Sequence, residues 1–388
     1  MTSVDASTLM ALLPGRPRLL ALGEPTHGED DLLRVRNDLF RGLVEEHGYR
    51  TITIESDCLR GELVDAYVAT GAGDPDEVMA RGFSHGWGAF AGNRELVGWM
   101  RAYNDGRPAA DRVRFAGFDG PLEITGAESP RQALTGLHAY LAAGVDADLL
   151  PCTAETLDRL LGPDDRWPDP AAMRDPSASA GRTADARRLR LLADDLVALL
   201  DARTPELIAG SSREDWDRAR LYGRTATGLL SYHYWMADTS PGRLTRLLGV
   251  RDSMMAANLL ALADRGPTLV SAHNSHLQRT RSSMTLGDTP LHWWSAGAIV
   301  DAHLGDVYAF VATAVGTIHH HDVGTPPPDT IEGLLYACGQ AHLLLDPHSL
   351  TARPAATRVS PWYGYAPLDP ADLPHTDGLL FVRDAHRP

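Results

Sequence analysis

Lysine is missing altogether: all 36 basic residues of the 388-residue chain are arginine. That absence excludes a Walker-type phosphate loop, a Schiff-base or pyridoxal lysine and a Ser-Lys dyad, because each depends on a lysine amine. Cysteine is scarce. Cys58, Cys152 and Cys338 lie far apart and match no zinc or redox spacing, so they read as buried reduced thiols in a cytosolic setting. Positive charge is in deficit too. The formal net charge of −15 repels phosphate backbones and anionic lipid, so neither nucleic acid nor a membrane surface is expected as a partner. No stretch approaches the ~20 apolar residues that span a bilayer. The N-terminal MTSVDASTLMALLPGR has no basic region and carries Asp5 ahead of a short apolar stretch, unlike a secretory signal. The expectation is a cytoplasmic monomer or small homo-oligomer.

What is present, with 44% hydrophobic residues, suffices for a sizeable core. Short apolar runs read as strands at Arg18–Gly23, Arg50–Ile54, Val113–Phe118, Thr268–Ala272, Val307–Ala314 and Leu379–Val382. Between the first two, Leu32, Leu33, Val35, Leu39, Phe40, Leu43 and Val44 recur at helical spacing, and Gly48 suits a C-cap. This β-α-β pattern predicts an α/β fold with a mostly parallel central sheet covered by helices. Residues 121–250 differ: they are arginine-rich and helical, broken by a Pro/Asp/Ala/Ser loop at 162–182. The division expected is an α/β core from residues 1–120 and 251–388 carrying the active site, with 121–250 as a helical insertion forming a lid over the cleft.

Four of the predicted strands stop at ionisable residues: Glu24, Glu55, Asp119 and His273. Ligands of open parallel sheets bind outside the carboxyl ends of the strands, so these groups would converge on one rim. The plainer alternative is that acids after strands cap the following helices. In GEPTHG (23–28), Glu24 and His27 sit three apart in a stiff turn, where a carboxylate can fix an imidazole's tautomer and raise its basicity. Thr26 could equally cap the next helix, with His27 facing solvent. In SAHNSHLQR (271–279), His273 and His276 are again three apart after a strand, with Asn274 between them. Two such histidines can bind a metal or supply a proton donor and an oxyanion donor, but no HExxH-like or cysteine pattern accompanies them.

LGEPTHG and TITIESD, followed by WGAFAGNRELVGWMRAYN (87–104), FAGFDG (115–120), RDSMMAANL (251–259) and AHNSH (272–276), resemble the erythromycin esterase family in order and spacing. The resemblance runs from about residue 18 to 382 and is weakest across 125–245, where no block aligns. It implies a metal-independent, cofactor-free hydrolase of macrolide-type lactones and related esters, with an α/β core and a helical portion enclosing the cleft. Carried over, His27 would be the base that activates water, Glu24 and Glu55 would orient it, and His273 and His276 would complete the catalytic set. Arg36, nine residues past His27, would contact substrate or the carboxylates. Asp119, His85, Trp87, Asn274, Tyr232 and His233 are the remaining candidates for substrate contact.

Other patterns compete. Gly82-Phe83-Ser84-His85-Gly86 fits G-x-S-x-G, but a nucleophile elbow needs a buried strand before it, and DPDEVMAR is polar and helix-like. His319, His320 and His321 read as an exposed loop rather than a metal site, and the aromatics around Tyr232 read first as helix packing. Two further function classes stay open: a biosynthetic lyase, cyclase or group-transfer enzyme using the same Glu/His cluster, and a non-catalytic binding protein.

Overall fold

The computed structural model describes residues 4–123, 126–351 and 356–386. The chain divides into two compact units, one formed by Met1–Phe118 with Leu259–Pro388 and the other by Asp119–Asn258. No helix among the described residues is long and apolar enough to cross a membrane.

In the first unit the apolar runs become β1 (Leu19–Glu24), β2 (Thr51–Asp57), β3 (Arg114–Asp119), β4 (Thr268–His273), β5 (Tyr308–Ile318), β6 (His342–Leu345) and β7 (Gly378–Ala385). Among the described residues they form one seven-stranded sheet in the order β6-β7-β5-β1-β4-β2-β3. The pairs β1–β4, β1–β5, β2–β4 and β5–β7 are parallel, and the edge strand β6 runs antiparallel to β7. β1 and β5 are buried at every position, as strands covered on both faces must be. The sequence did not signal β6, which has only four residues, or the hairpin Arg281–Leu286 with Thr289–Trp294.

The predicted helix forms over Asp30–His47 and ends where expected, with Gly48 in the left-handed region at φ 70° and its N–H bonded to the Leu43 carbonyl. Its Leu39, Phe40, Leu43 and Val44 join Leu20, Leu22, Ile52 and Ile54 of the sheet, and Val64, Leu96, Val97 and Met100 of neighbouring helices, in one core. Burying a side chain of this kind contributes about 1.5–3 kcal/mol, and the shared core is what fixes the carboxyl ends of β1 and β2 relative to the helices that follow them.

The end of β2 departs from expectation, and so does the cap of the helix after β1. β2 runs through Glu55 to Asp57, so Glu55 lies within the strand rather than at its end. The turn after β2 is instead closed by Asp57, whose Oδ1 accepts the N–H groups of Leu59 and Arg60. The helix after β1 starts at Asp30 with Glu29 as N-cap, and the Thr26 hydroxyl has no hydrogen-bond partner among the described residues, so Thr26 is not its cap.

The second unit is helical. Arg213–Met236 packs against Arg131–Gly144 and Ala184–Ala202. Residues 162–182 resolve into short 3₁₀ turns, three of them capped by the side chains of Asp169, Asp175 and Ser179.

Candidate active site

Parallel pairing puts Glu24 and His273 in register at the carboxyl ends of neighbouring strands. Immediately beyond β1 the chain turns sharply at Gly28, whose φ of 84° and tight approach to the Phe90 ring leave no room for a side chain. Just before that turn, the His27 Nδ1–H donates to Glu24 Oε1 at 2.7 Å, back to the last residue of β1. The other ring nitrogen, Nε2, stands 3.8 Å from Glu55 Oε2. The other Glu55 oxygen lies 3.3 Å from His276 Nε2, and Oε2 also accepts the backbone N–H of His273 at 3.0 Å. Glu24, His27, Glu55 and His276 therefore form one cluster.

The burial of its members is graded. The Glu55 and His276 side chains are 3% and 8% exposed, and Glu24 10%, whereas His27 is 35% exposed. Dehydration of the His27 ring opposes its protonation, but the carboxylates of Glu55 and Glu24 outweigh that effect and raise its pKa above 6.5. A carboxylate that fixes Nδ1–H leaves Nε2 as the basic atom, on the most open side chain of the cluster.

His273 is bonded differently from His27. Its Nδ1 accepts the Ser275 N–H at 3.2 Å and lies 2.7 Å from the Ser275 hydroxyl, which places the ring proton on Nε2, facing the Pro25 carbonyl at 3.3 Å. Burial, then repulsion from His27, pushes its pKa down to about 3, so the ring is neutral. It ties the end of β4 to the turn that carries His27. Asn274 is likewise committed: its carboxamide makes two hydrogen bonds to the Thr313 backbone of β5, and a Cβ at Gly23 would overlap it.

Trp87 flanks His27, with ring centroids 4.9 Å apart, and His85 lies 5.9 Å from Trp87. His85 holds φ 56° and Gly86 φ 72°, a left-handed pair that reverses the chain here; for a histidine this conformation is strained. Arg36 is linked to Trp87 through Asn93. Its buried guanidinium donates to Asn37 and Asn93, and the Asn93 amide donates to the Trp87 carbonyl. Burial pushes the Arg36 pKa down to about 10, against an opposing pull from Glu24. Asn37 and Asn93 were not singled out from sequence, although Asn93 lies inside the WGAFAGN block.

Ser84 is 2% exposed; its hydroxyl accepts the Asp57 N–H at 2.9 Å and pairs with Ser56 at 3.2 Å, which makes it a strut between its own loop and the end of β2. In the second unit, Asp119 is gripped by Arg251, with an Oδ2–Nη2 distance of 2.7 Å. His233 Nε2 lies 2.9 Å from the Glu128 carbonyl, and burial pushes its pKa down to about 4. Tyr232 is buried, which pushes its hydroxyl up to about 12.

The chain is thus an α/β protein with a carboxylate-held imidazole at the carboxyl edge of a mostly parallel, helix-covered sheet. The chain belongs to the erythromycin esterase family, whose model, described as "Erythromycin esterase", matches residues 44–368. That span contains Glu55, His85, Trp87, His273, Asn274 and His276; Glu24, His27 and Arg36 precede it. The chain is 22% identical to an erythromycin esterase type II of Escherichia coli, over 92% of this chain and 88% of that protein. Its fold is similar to that of a Bacillus cereus protein (TM-score 0.73, 18% identity, 100% of this chain and 94% of the other). It is also similar to that of a mutant of the erythromycin esterase EreC in its open conformation (TM-score 0.67, 19% identity, 98% and 93%).

Proposed function

We propose that the chain is an erythromycin esterase-like hydrolase that opens a lactone or ester with water activated by His27, without a metal. The observation that carries this reading is the His27 ring itself. One nitrogen is held by Glu24 at 2.7 Å, and the other faces the second carboxylate, Glu55, from the most exposed position of the cluster.

In the proposed reaction His27 Nε2 takes a proton from water as the water oxygen bonds to the carbonyl carbon. The tetrahedral intermediate collapses with cleavage of the C–O bond, and the leaving alkoxide takes the proton from His27, giving an acid and an alcohol. Glu24 steadies the imidazolium that forms between these steps, as a carboxylate beside a histidine base does. His276, which lies in the cluster at 3.3 Å from Glu55, is the proposed oxyanion donor, whereas the Arg36 guanidinium bonds to Asn37 and Asn93. Arg36 and His273 then act as positioning residues, one through Asn93 on the Trp87 wall, the other between β4 and Pro25.

The test is a panel of macrolides and simpler lactones read by mass, in ¹⁸O-labelled water, with His27→Ala as control. Gain of one water carrying the solvent label, in the wild type only, supports hydrolysis. An isomerised or eliminated product without solvent oxygen would replace this reading by the lyase or cyclase one.

A further inference from the structure

A second group of ligand-type side chains lies outside the acid–base cluster. Glu29 and two of the three consecutive histidines after β5 present one ligand atom each, all within 4.8 Å of one another. His320 Nε2 is 3.1 Å from Glu29 Oε1, and His321 Nε2 is 3.7 Å from the same oxygen. The triple forms a short 3₁₀ turn rather than a loop, and it stays largely open to solvent, with the His320 and His321 side chains 21% and 37% exposed against the buried Glu29.

We infer that Glu29, His320 and His321 form a binding site for a divalent transition metal of the zinc class, with a coordination position left for water.

Two independent observations support this. The first is the geometry. Zinc bonds of about 2.0–2.1 Å in a tetrahedron separate ligand atoms by about 3.3 Å, and the two nitrogen-to-oxygen spacings of 3.1 and 3.7 Å bracket that value. The second is Glu29 Oε2. The residue is only 3% exposed, and this oxygen has no hydrogen-bond partner among the described residues. A buried carboxylate left half satisfied is costly unless a cation faces it. An ordinary ion pair does not relieve this, because both imidazoles address Oε1. A small dication among the three side chains satisfies the carboxylate and uses both imidazoles as neutral donors. The His321 ring is already oriented: it stacks on Trp362 at a centroid distance of 3.7 Å and an angle of 10°. Two histidines and a glutamate are the donor set that zinc sites with an exchangeable fourth position use.

Such an ion would pin the loop that follows His27 to the end of β5, since Glu29 lies two residues beyond the proposed base. It plays no part in the proposed hydrolysis, so the two readings fail separately.

The experiment takes the full chain stripped with EDTA and dialysed free of it, titrated calorimetrically with zinc chloride, beside Glu29→Gln, His320→Ala and His27→Ala. The expected result is one zinc per chain, at least tenfold weaker binding in the first two variants, and unchanged binding in His27→Ala. Crystals of the wild type soaked in zinc should show an anomalous peak between Glu29, His320 and His321, which settles the matter even where a variant folds poorly. No zinc uptake, equal affinity in all variants, or a peak between His27, Glu55 and His276 would each overturn the assignment.

Discussion

Glu55 Oε1 lies 3.3 Å from His276 Nε2, joining a residue inside β2 to one a turn beyond β4. The same side chain holds the His273 N–H and faces His27, so one buried carboxylate organises three histidines. Glu55→Gln keeps an oxygen that can accept the His273 N–H but removes the charge. Ester turnover is expected to fall by about 100-fold or more, with a melting temperature within about 4 °C of wild type. Normal turnover with a collapsed melting temperature would make Glu55 a structural strut.

His27→Ala should cut turnover by about 10²–10⁴-fold, the contribution of a positioned base, while circular dichroism and melting stay close to wild type because the side chain is one-third exposed. Retention of most of the activity would remove His27 from the mechanism.

The raised His27 pKa sets the sign of the pH profile. The basic form appears only as pH rises through that raised value, so the acid limb of kcat/KM should lie above 6.5. Glu24→Gln removes one of the two carboxylates that raise it, and burial then weighs more heavily. The limb should move to lower pH even as the plateau drops. The same shift makes His27 a stabilising group below pH 6.5, a contribution lost as pH climbs through its folded pKa. An acid limb that stays in place in the variant would break the Glu24–His27 link.

Ser84→Ala tests the serine-hydrolase motif directly. Turnover should persist within a few-fold and fluorophosphonates should leave the wild type unlabelled at Ser84. Stability should fall by about 1–3 kcal/mol, because the buried Asp57 N–H loses its acceptor.

Burial drives His233 to a pKa of about 4, so the unfolded chain takes up a proton at this residue before the folded one does. Stability from this site is full above pH 6.5 and drains away as pH falls toward 4, by about 3 kcal/mol at the lower limit. In urea unfolding, His233→Gln should keep the amide-type donor to the Glu128 carbonyl and lose less stability than wild type across that window. Parallel pH curves for the two proteins would contradict this.

Much of the scaffold was legible in the chain. Apolar runs marked six of the seven strands, the Leu32–Val44 periodicity and Gly48 marked the helix after β1 with its end, and GEPTHG already paired Glu24 with His27. These signals are local: strand burial, helical period and a three-residue turn depend on neighbours in sequence. The lack of lysine likewise excluded whole chemistries before any fold was known.

What only the tertiary structure decided depends on contacts between distant segments. His273 and His276 look equivalent in AHNSH, yet Ser275 and Pro25 occupy both nitrogens of one ring while Glu55 meets the other. Nothing near Arg36 in sequence indicates that Asn93, 57 residues away, accepts a hydrogen bond from its guanidinium and donates one to the Trp87 carbonyl. Glu29 and His320 are 291 positions apart, and nothing in either segment announces the other. The role of an ionisable side chain is set by which partners its atoms reach, and that is fixed by strand order and register, which join residues that local sequence signals treat separately.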